Sequence, residues 1–575
     1  MEGRAHVNAM ACPRPFFQNN VHPMSAAENA EYDVVVCGGS LAGAATALLL
    51  LRAQPGLRVA IIEKSTRFAR RVGEATVEVS GYFLGRVLGL TQHLNEHHLA
   101  KQGMRFWFAN DQARSLADCS EVGGRYLTRM PAWQVDRSVL DEEVLLRAAE
   151  AGATLLRPAK ARSVTLRPGG VQVVHVETED GTREVTGRWV VDASGFTALL
   201  ARQEGWLRRN HAHPTTALWA RWRGLKDLDG RELAERHPEW FHACPTIRAT
   251  ATNHLMGDGW WAWIIPLKGG DTSVGVVFDQ RRVTWPRGIP LAGGLKDFLM
   301  RHHPVARELM ADATAVDGDV SWRAHLPYCS DVFAGDGFVL VGDAAGFIDP
   351  FYSPGMDWLS YTATMASRLV LAALGTPPAA ATTAARDAAA TATAAELPGR
   401  IQRHNATLAR SYARWFDAIY RDKYDVMGDH ELMRAAFELD LALYYVGVVS
   451  QPVQLGADAL EIPVFAARGS EIPYRLMRLY NRRLAAMARA RRARGTFGRA
   501  NAGRRVLLKG FLPERASSAG VLRAVLRWLA LEAAEGWRSW FNAFPTEARR
   551  DARAGFGPMA PAHSPPAPSG CVPPS

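Results

Sequence analysis

The chain has 575 residues, of which 48% are hydrophobic and 22% charged, a composition typical of a folded globular protein with two or three structural lobes. It has no run of eighteen apolar residues and no basic-then-apolar leader, so we expect a cytoplasmic protein without a membrane span. Its six cysteines have no CxxC pair and no His-rich spacing, and predict neither a metal site nor a disulfide framework.

The first elements are a strand, a glycine turn, a helix and a second strand. Residues 1–30 are expected to form a disordered tail, with Met24 as a candidate true start. Residues 34–36 then predict a buried parallel strand, 38–43 a tight turn, 44–51 a helix and 57–62 a second strand. Glu63 closes that strand, placed for a ribose hydroxyl. This order is the dinucleotide-binding fingerprint in its required context.

Each part of the fingerprint has a physical role. Gly38 permits the turn, Gly43 lets the helix and strand backbones touch, and the helix N-terminus offers N–H groups and partial positive charge to a pyrophosphate. Ser40 stands where a glycine is usual, and its hydroxyl either donates to the phosphate or pushes it outward. The predicted nucleotide contacts here are Gly38, Gly39, Ser40, Ala42, Gly43, Glu63 and Lys64.

The next elements continue the alternation of strands and helices. We expect a strand over 101–108, a helix over 137–151, a hairpin over 164–189 that turns at Asp180-Gly181, a buried strand over 190–195, antiparallel aromatic strands within 215–278, a strand over 338–341 and a helix over 356–374. The strands at 190 and 338 should return the chain to the nucleotide sheet. Residues 376–396 predict a linker with some helix, and 401–550 are expected to be mostly helical.

The net charge of +11 is concentrated in one segment. Residues 475–509 hold twelve Lys or Arg and no Asp or Glu, with Leu476, Leu479, Leu484 and Met487 at roughly helical spacing. Three interpretations stay open: a solvated helix face, a dock for an acidic partner, or contact with an anionic membrane. Nucleic acid is not expected, because no aromatic stacking pattern accompanies the charge.

Several separated motifs resemble the FAD-dependent monooxygenase superfamily. They are the turn 38–43, Glu63, Asp192-Ala193-Ser194-Gly195 and Gly342-Asp343. The resemblance implies that Asp343 holds the ribityl chain and that the helix after it points its positive end at the isoalloxazine. Arg137, Gly355 and Met356 complete the predicted FAD contacts.

A sharper resemblance is to the flavin-dependent halogenases. Trp261-Ala262-Trp263-Ile264-Ile265-Pro266 matches their WxWxIP signature without a mismatch. Two tryptophans one residue apart on a strand share a face, so they can separate a flavin from a neighbouring cavity. The residues predicted for the passage between flavin and substrate are Trp261, Trp263, Ile265, Pro266 and Tyr352.

Lys101 is the predicted catalytic residue. It follows the segment 72–76 and, with Gly103 and Phe106, fits the Lys-x-Gly-x-x-Phe strand of that family. The resemblance implies that this lysine receives hypohalous acid made at the flavin and passes an electrophilic halogen to an electron-rich carbon. Burial would lower the pKa of the amine below about 10.4 and shield it from water. A lysine at a strand start is otherwise usually exposed.

The segment Tyr352-Ser353-Pro354-Gly355 departs from the family. Tryptophan-modifying members carry a Glu where this chain has Tyr352, whereas members acting on phenols and pyrroles also lack it, because such rings are activated by their own hydroxyl or nitrogen. The halide of the family rests on backbone N–H groups of this turn. Pro354 has none, which should cost about 1–3 kcal/mol of halide affinity. Ser353 and Gly355 remain the candidate halide contacts.

The resemblance implies an α/β fold: a Rossmann-like FAD-binding domain of the GR2 type with an inserted antiparallel substrate sheet and a C-terminal helical region. The expected parts are a disordered tail (1–30), the first part of the FAD-binding domain (31–210), the substrate sheet (211–330), the return segment (331–375), the helical region (376–553) and a disordered tail (554–575).

The functional hypothesis is an FADH2- and O2-dependent halogenase of a phenol or pyrrole in secondary metabolism, with halide as co-substrate. A separate NAD(P)H flavin reductase is expected, because no second nucleotide fold is visible. The substrate would be free or tethered to an acidic carrier protein, which the segment 475–509 could dock. Without halide the same flavin chemistry would hydroxylate the ring, so an aromatic monooxygenase is the alternative. A flavin-binding protein whose catalysis has lapsed is the second alternative.

Overall fold

The computed structural model describes residues 31–286, 290–375, 383–509 and 518–540. The predicted tails 1–30 and 554–575, and with them Met24, lie outside these ranges. The strands, in chain order, are β1 Glu31–Cys37, β2 Val59–Ile62, β3 Leu99–Ala100, β4 Met104–Phe108, β5 Ser120–Gly124, β6 Trp133–Gln134, β7 Thr154–Leu156, β8 Lys160–Thr165, β9 Gln172–Thr178, β10 Gly181–Asp192, β11 Leu207–Arg209, β12 Thr215–Arg223, β13 Thr252–Gly257, β14 Trp260–Pro266, β15 Thr272–Asp279, β16 Thr314–Arg323, β17 Tyr328–Ser330, β18 Ala334–Gly335, β19 Phe338–Leu340, β20 Gly346–Phe347 and β21 Arg505–Leu508.

Helices cover the faces and ends of the sheets. In chain order they are α1 Leu41–Ala53, α2 Glu78–Tyr82, α3 Thr91–His97, α4 Arg137–Glu150, α5 Leu199–Gln203, α6 Arg231–Arg236, α7 Pro238–His242, α8 Leu291–His302, α9 Pro304–Leu309, α10 Pro354–Leu374, α11 Thr383–Trp415, α12 Lys423–Val426, α13 His430–Tyr444, α14 Ser450–Leu455, α15 Glu471–Ala493, α16 Ser518–Leu531 and α17 Trp537–Trp540. Among the described residues, no helix combines the length and hydrophobicity that a membrane span requires.

The first large sheet carries the predicted fingerprint. Its order is β18-β19-β10-β1-β2-β7, with β9 pairing β10 and β8 pairing β9. The strands β1 and β2 are parallel and buried on both faces, which explains their continuous β-branched runs. Helix α1 is apolar almost all round because it packs between this sheet and helices α4 and α10. The mixed α/β, Rossmann-like fold is as predicted.

Strand β10 joins two features that the sequence predicted as separate. Its first part pairs antiparallel with β9 and forms the expected hairpin. It then continues without a break as a parallel neighbour of β1 and β19. The hairpin arm and the return strand are therefore one strand of twelve residues.

The second large sheet has the order β16-β12-β15-β14-β13-β4-β5-β21. Most neighbours are antiparallel, whereas β13 is parallel to β4 and β5 is parallel to β21. The sheet therefore takes strands from outside 211–330, including one from the C-terminal third. Alternation along β14 turns Trp261, Trp263 and Ile265 towards the first sheet, and Trp260 and Ile264 towards a separate core beneath α8 and α9.

The strand predicted over 101–108 begins only at Met104. Gly103 has a φ of +76°, in the left-handed region, so the chain does not run extended through it. Lys101 lies instead in the turn between β3 and β4, where its backbone N–H donates to the carbonyl of Ala132 at 2.8 Å. The prediction that Lys101 begins a strand was wrong.

The C-terminal third is mostly helical, as expected, with β21 as an exception. Residues 376–382 of the predicted linker lie outside the described ranges, and the remainder of that stretch belongs to α11 from Thr383 onwards. Within the described residues, α13 packs against both α15 and α16. The C-terminal third of the chain is thus a packed helical layer that β21 joins to the second sheet.

The basic segment 475–509 forms α15, a following turn and β21. Ten of its twelve Lys or Arg residues form salt bridges with Asp or Glu in the described part of the chain. The side chain of Arg491 is fully buried and contacts Asp429, Glu431 and Glu535. This argues against the predicted dock for an acidic carrier or an anionic membrane, because most of the charge is neutralised within the protein.

Candidate active site

Two cavities lie side by side where the two sheets meet α10. One, of about 310 Å³, is lined by Lys101 and is called here the Lys101 cavity. The other, of about 170 Å³, is lined by Ser40, Arg137 and Asp343 and is called the nucleotide cavity. It lies at the carboxyl ends of β1 and β10, the edge where parallel α/β sheets bind nucleotides.

Two chain segments form much of the wall between the cavities. Residues 72–75 line the nucleotide cavity, and residues 76–78 line the Lys101 cavity. The start of α10 divides in the same way. Ser353, Gly355 and Met356 line the nucleotide cavity, while Tyr352, Pro354 and Asp357 line the Lys101 cavity. Neighbouring residues of one turn thus face opposite cavities.

Lys101 is buried in this wall, with 3% of its surface exposed. Its Nζ donates to the carbonyl of Thr76 at 2.8 Å. Burial lowers the pKa of the amine to about 8, and the carboxylates of Glu78 and Asp357 oppose that shift. On the other side, His254 lines the nucleotide cavity, and burial followed by the charge of Lys101 lowers the pKa of its imidazole to about 3. The amine therefore lies between groups of both cavities.

The predicted FAD contacts fall into two sets. Those that line the nucleotide cavity are Ser40, Ala42, Arg137, Asp343, Gly355 and Met356. Those that do not line it are Gly38, Gly39, Gly43, Glu63 and Lys64. Lys64 is exposed.

The fingerprint glycines act by close approach. A Cβ on Gly38, whose φ is +112°, would lie 2.4 Å from the carbonyl oxygen of Ala193, and one on Gly43 would lie 1.9 Å from that of Gly38. Glu63 fastens the same turn, because its carboxylate accepts the N–H of Gly39 at 2.9 Å and that of Ser65 at 2.9 Å. The glycines therefore allow the close backbone packing that places the N-terminus of α1, the part of the turn suited to a pyrophosphate, beside the nucleotide cavity.

Asp343 is a half-buried residue that lines the nucleotide cavity. Burial raises its pKa to about 6, while Arg137 and Arg323 oppose the rise. Arg137 also donates to Asp141 at 2.7 Å. The sequence did not predict Arg323 as a site residue. Its guanidinium lies over the ring of Phe196 at 3.7 Å, and Arg323 and Phe196 both line the nucleotide cavity. They belong to no motif, so no local pattern could have revealed them.

The residues predicted for the passage are divided between the cavities. Trp261, Trp263 and Ile265 line the nucleotide cavity, and Pro266 lines neither. The indole N–H of Trp261 donates to the hydroxyl of Tyr424 at 3.0 Å, and that of Trp263 to Ser273 at 3.1 Å. Of the predicted set, Tyr352 lines the Lys101 cavity. The paired tryptophans are therefore held as a rear wall of the nucleotide cavity.

The turn before α10 is strained and fastened from the C-terminal third. Tyr352 and Ser353 have φ values of +66° and +56°, which for residues other than glycine cost about 1–3 kcal/mol each. The Tyr352 hydroxyl donates to Asp440 at 3.2 Å, and the Tyr420 hydroxyl donates to the carbonyl of Phe351 at 3.0 Å. Asp440 is itself held by three further donors, from Lys423, Tyr480 and Asn481.

This geometry changes the predicted halide contacts. The N–H of Ser353 donates to the carbonyl of Pro350 at 3.0 Å, which argues against Ser353 as a halide donor. Pro354 is the first residue of α10, where a missing N–H is tolerated. Gly355 follows at the helix N-terminus, where N–H groups have no partner within the helix. Gly355 is thus the stronger of the two candidates.

The C-terminal third contributes to one of the two cavities. The described lining of the nucleotide cavity ends at Leu359. The Lys101 cavity receives ten later residues: Trp415, Ile419, Tyr420, Phe437, Asp440, Leu441, Tyr444, Tyr445, Leu508 and Lys509. No motif marked them, because their positions depend on how α11, α13 and β21 pack.

Residues 31–256 match the protein family described as FAD binding domain. The matched range contains the glycine turn and Lys101, and it ends before the paired tryptophans of β14. The glycine turn and the half-buried Asp343 between two arginines fit such a cofactor. The chain therefore carries an FAD-binding domain, and the predicted cofactor, FAD, is confirmed.

Curated relatives carry a more specific name. The chain is 26% identical over 365 residues to a flavin-dependent halogenase of Dictyostelium discoideum, covering 56% of this chain and 57% of the relative. A flavin-dependent halogenase of Armillaria mellea is 27% identical over 371 residues, with 59% of this chain and 67% of the relative covered. A 1H-pyrrole-2-carbonyl-[peptidyl-carrier protein] chlorinase of Pseudomonas fluorescens is 26% identical, with 60% and 76% covered. The chain thus spans about six-tenths of the length of the first of these relatives.

Solved structures show the same fold. The halogenase PltM superposes with a TM-score of 0.66 at 19% identity, covering 87% of this chain and 97% of PltM. The flavin-dependent brominase Bmp2 gives a TM-score of 0.55 at 20% identity, with 78% and 98% covered. The predicted resemblance to flavin-dependent halogenases is confirmed in both sequence and fold.

Proposed function

We propose that this chain is an FADH2- and O2-dependent halogenase that places chlorine or bromine on an electron-rich phenol or pyrrole. The observation that carries the proposal is Lys101, a buried amine in the wall between an FAD-binding cavity and a second cavity of substrate size. A lysine in that place has no packing advantage, since burying the ammonium is costly. Its lowered pKa keeps a fraction of the amine neutral near pH 8, and the neutral amine is the nucleophilic form.

FAD, when bound and reduced, supplies with O2 the oxidising equivalents for the halide. The protein contributes the surroundings. Asp343 is the proposed ribityl contact, the N-terminus of α1 faces the pyrophosphate, and Gly355 donates to the halide. Lys101 then holds or carries the oxidised halogen into the second cavity, whose lining is largely apolar and aromatic. Keeping water out of that cavity prevents loss of the oxidant.

A free, small aromatic substrate is favoured over a carrier-bound one. The name of the Pseudomonas fluorescens relative states that it acts on a pyrrole bound to a peptidyl carrier protein. In this chain, however, the basic segment proposed for such docking is largely ion-paired internally. A separate NAD(P)H flavin reductase remains part of the proposal. Adding an acidic carrier at low salt should give no stable complex, and a complex that salt reverses would restore the carrier-bound alternative.

The second candidate is an aromatic monooxygenase, and Pro354 is the observation that favours it. With Pro354 lacking an N–H and that of Ser353 already bonded, the turn offers fewer donors to a halide. Weak halide binding would leave hydroxylation as the outcome. Product mass distinguishes the two, because bromination adds a characteristic isotope pair and hydroxylation adds one oxygen.

The test supplies the protein with FAD, a flavin reductase, O2, bromide and a panel of phenols and pyrroles. Brominated product is expected from the native protein. Lys101→Ala should lose it by about 10²–10⁴-fold while still consuming reduced flavin and O2. Lys268→Ala is the matched control, because Lys268 is exposed and lines neither cavity. Hydroxylated product without a need for halide would replace the proposal with the monooxygenase. Flavin binding without substrate turnover would indicate lapsed catalysis.

A further inference from the structure

Two carboxyl groups in the Lys101 cavity have no role in the function proposed above. Asp357 is 1% exposed, and Glu78 is partly buried. Asp357 accepts the backbone N–H of Ser80 at 2.9 Å and the hydroxyl of Tyr444 at 3.1 Å. Glu78 accepts the hydroxyl of Tyr445. Both line the same cavity as Lys101, and both act electrostatically on its amine.

Asp357 has a fixed position in the dividing wall. It lies in the first turn of α10, three residues after Pro354, and the two share the helix face that lines the Lys101 cavity. Its two donors come from α2 and α13, so the carboxyl is oriented from both sides. A substrate that reaches Lys101 through this cavity therefore passes a carboxyl whose direction is already set.

The environment makes Asp357 more basic than an ordinary aspartate. Its pKa is raised to about 7, chiefly by burial and in smaller part by the charge of Glu78, while the hydrogen bonds from Ser80 and Tyr444 oppose the rise. Besides Glu78 and Tyr444, the titratable groups that interact with Asp357 are Lys101, Tyr361 and Tyr420. A general base is most effective when its pKa lies near the working pH.

We propose that Asp357 is the general base that removes the hydroxyl proton of a neutral phenol while the ring is halogenated beside Lys101. The proposal rests on the halogenase function proposed above. It also supplies a carboxylate that Tyr352 cannot, because Asp357 lies in the first turn of α10, whereas Tyr352 lies in the turn before that helix. The substrate class is thereby narrowed to phenols that enter un-ionised.

The step balances as follows. The phenolic O–H bond breaks, and its proton goes to a carboxylate oxygen of Asp357. The ring carbon ortho or para to that oxygen forms the bond to halogen. The bond that breaks joins the halogen to the oxygen of hypohalous acid, or to the protonated nitrogen of an N-halogenated Lys101, and its electron pair stays on the oxygen as hydroxide or on the nitrogen as the neutral amine. The carbon is oxidised and the halogen is reduced. The ring then loses its C–H proton to the hydroxide or amine just formed, which restores aromaticity.

The test compares two phenols across pH in the native protein and in Asp357→Asn. One phenol is weakly acidic, and the other is a fluorophenol already ionised at pH 8. For the weakly acidic phenol, native kcat should rise through a pKa near 7, and Asp357→Asn should lose about 10²-fold at pH 8 and recover as the pH approaches the pKa of the phenol. For the ionised phenol, Asp357→Asn should lose less than about tenfold. Glu78→Gln, the neighbouring control, should lose less than about tenfold with either.

A second measurement distinguishes failure of the proposed role of Asp357 from failure of the proposed halogenase function. A cyclic 1,3-diketone that is already an enolate traps oxidised halide without a base, so Asp357→Asn should retain halide-dependent trapping. Absence of trapping by the native protein would remove the halogenase itself. Equal losses on both phenols, or a pH profile unchanged by Asp357→Asn, would overturn the role of Asp357 alone. If Asp357→Asn does not fold, the native protein decides: equal pH profiles for the two phenols would overturn the proposal.

Discussion

The two cavities differ in where their residues come from. The described lining of the nucleotide cavity is drawn from residues 40–359, and much of it follows recognisable motifs. The Lys101 cavity shares the wall but adds ten residues from the C-terminal third, none of them in a motif. The cofactor cavity is therefore a product of the fold, whereas the second cavity depends on how an additional helical layer packs on it.

This difference indicates which parts of the protein can change while the lining of the nucleotide cavity stays the same. The residues of α11, α13 and β21 that line the Lys101 cavity do not line the nucleotide cavity, so changes at these residues would reshape the first cavity directly and not the second. The strained turn at Tyr352 and Ser353 couples the two parts, because the Tyr352 hydroxyl donates to Asp440 and the carbonyl of Phe351 accepts from Tyr420. The following predictions test how separate the cavities are.

The largest effect is expected at the glycine turn. Gly43→Val places a side chain where a Cβ already lies 1.9 Å from the carbonyl of Gly38, so FAD binding should be lost or weakened more than about 100-fold, if the variant folds. Flavin fluorescence titration measures this. Gly293→Ala is the control: Gly293 is exposed, a Cβ there meets nothing within 4 Å, and the change should alter stability by less than about 1 kcal/mol.

The second prediction concerns the helical layer. Arg491→Met removes a fully buried cation from Asp429, Glu431 and Glu535, so it should lower the free energy of unfolding by about 3–5 kcal/mol. Arg475→Ala removes a largely exposed partner of Glu471 and should cost at most about 0.5 kcal/mol. Urea unfolding measures both. Equal, small effects would mean that the basic segment is not the internal strut inferred here.

The third prediction is the pH dependence caused by Lys101. Its pKa falls from 10.5 to about 8 on folding, so the cost of the buried ammonium is fully present at pH 7 and disappears between pH 8 and 10.5. Native stability should therefore gain about 3 kcal/mol from this group over that range, at 1.36 kcal/mol per unit, and Lys101→Met should not show that gain. The stability difference between the two proteins, from urea midpoints at pH 7 and 10, should shift by most of that amount. A constant difference would place the amine in contact with solvent.

The smallest effect is expected at the hydrogen bond that joins the turn before α10 to the C-terminal helical layer. Tyr352→Phe removes the hydroxyl that donates to Asp440, and Asp440 keeps its bonds from Lys423 and Tyr480. The loss should be about 1 kcal/mol of stability. FAD affinity should stay unchanged, while the halide KM should rise several-fold because the strained turn loosens ahead of Gly355. An altered FAD affinity would show that the two cavities are not separable.

Much of the cofactor site could be predicted because its constraints are local. A glycine turn between a β-branched run and a small-residue helix leaves few alternatives, and the steric demands at Gly38 and Gly43 act between neighbours in sequence or in adjacent strands. The alternation along β14 likewise placed Trp261 and Trp263 on one face. The predicted strand from Lys101 failed because a single left-handed glycine at 103 ended it.

The features that could not be predicted depend on contacts between distant parts of the chain. The sequence by itself determined the FAD-binding architecture, since short-range steric rules and motif spacing suffice for it. It singled out Lys101 only through the resemblance to flavin-dependent halogenases. Only the tertiary structure decided that the basic segment is ion-paired, that Asp357 and Glu78 share a cavity with Lys101, and that Asp440 fastens the turn at Tyr352. Such facts follow from the direction in which packed helices present their side chains, and that direction is set by partners that are 44 to 277 residues away in the sequence.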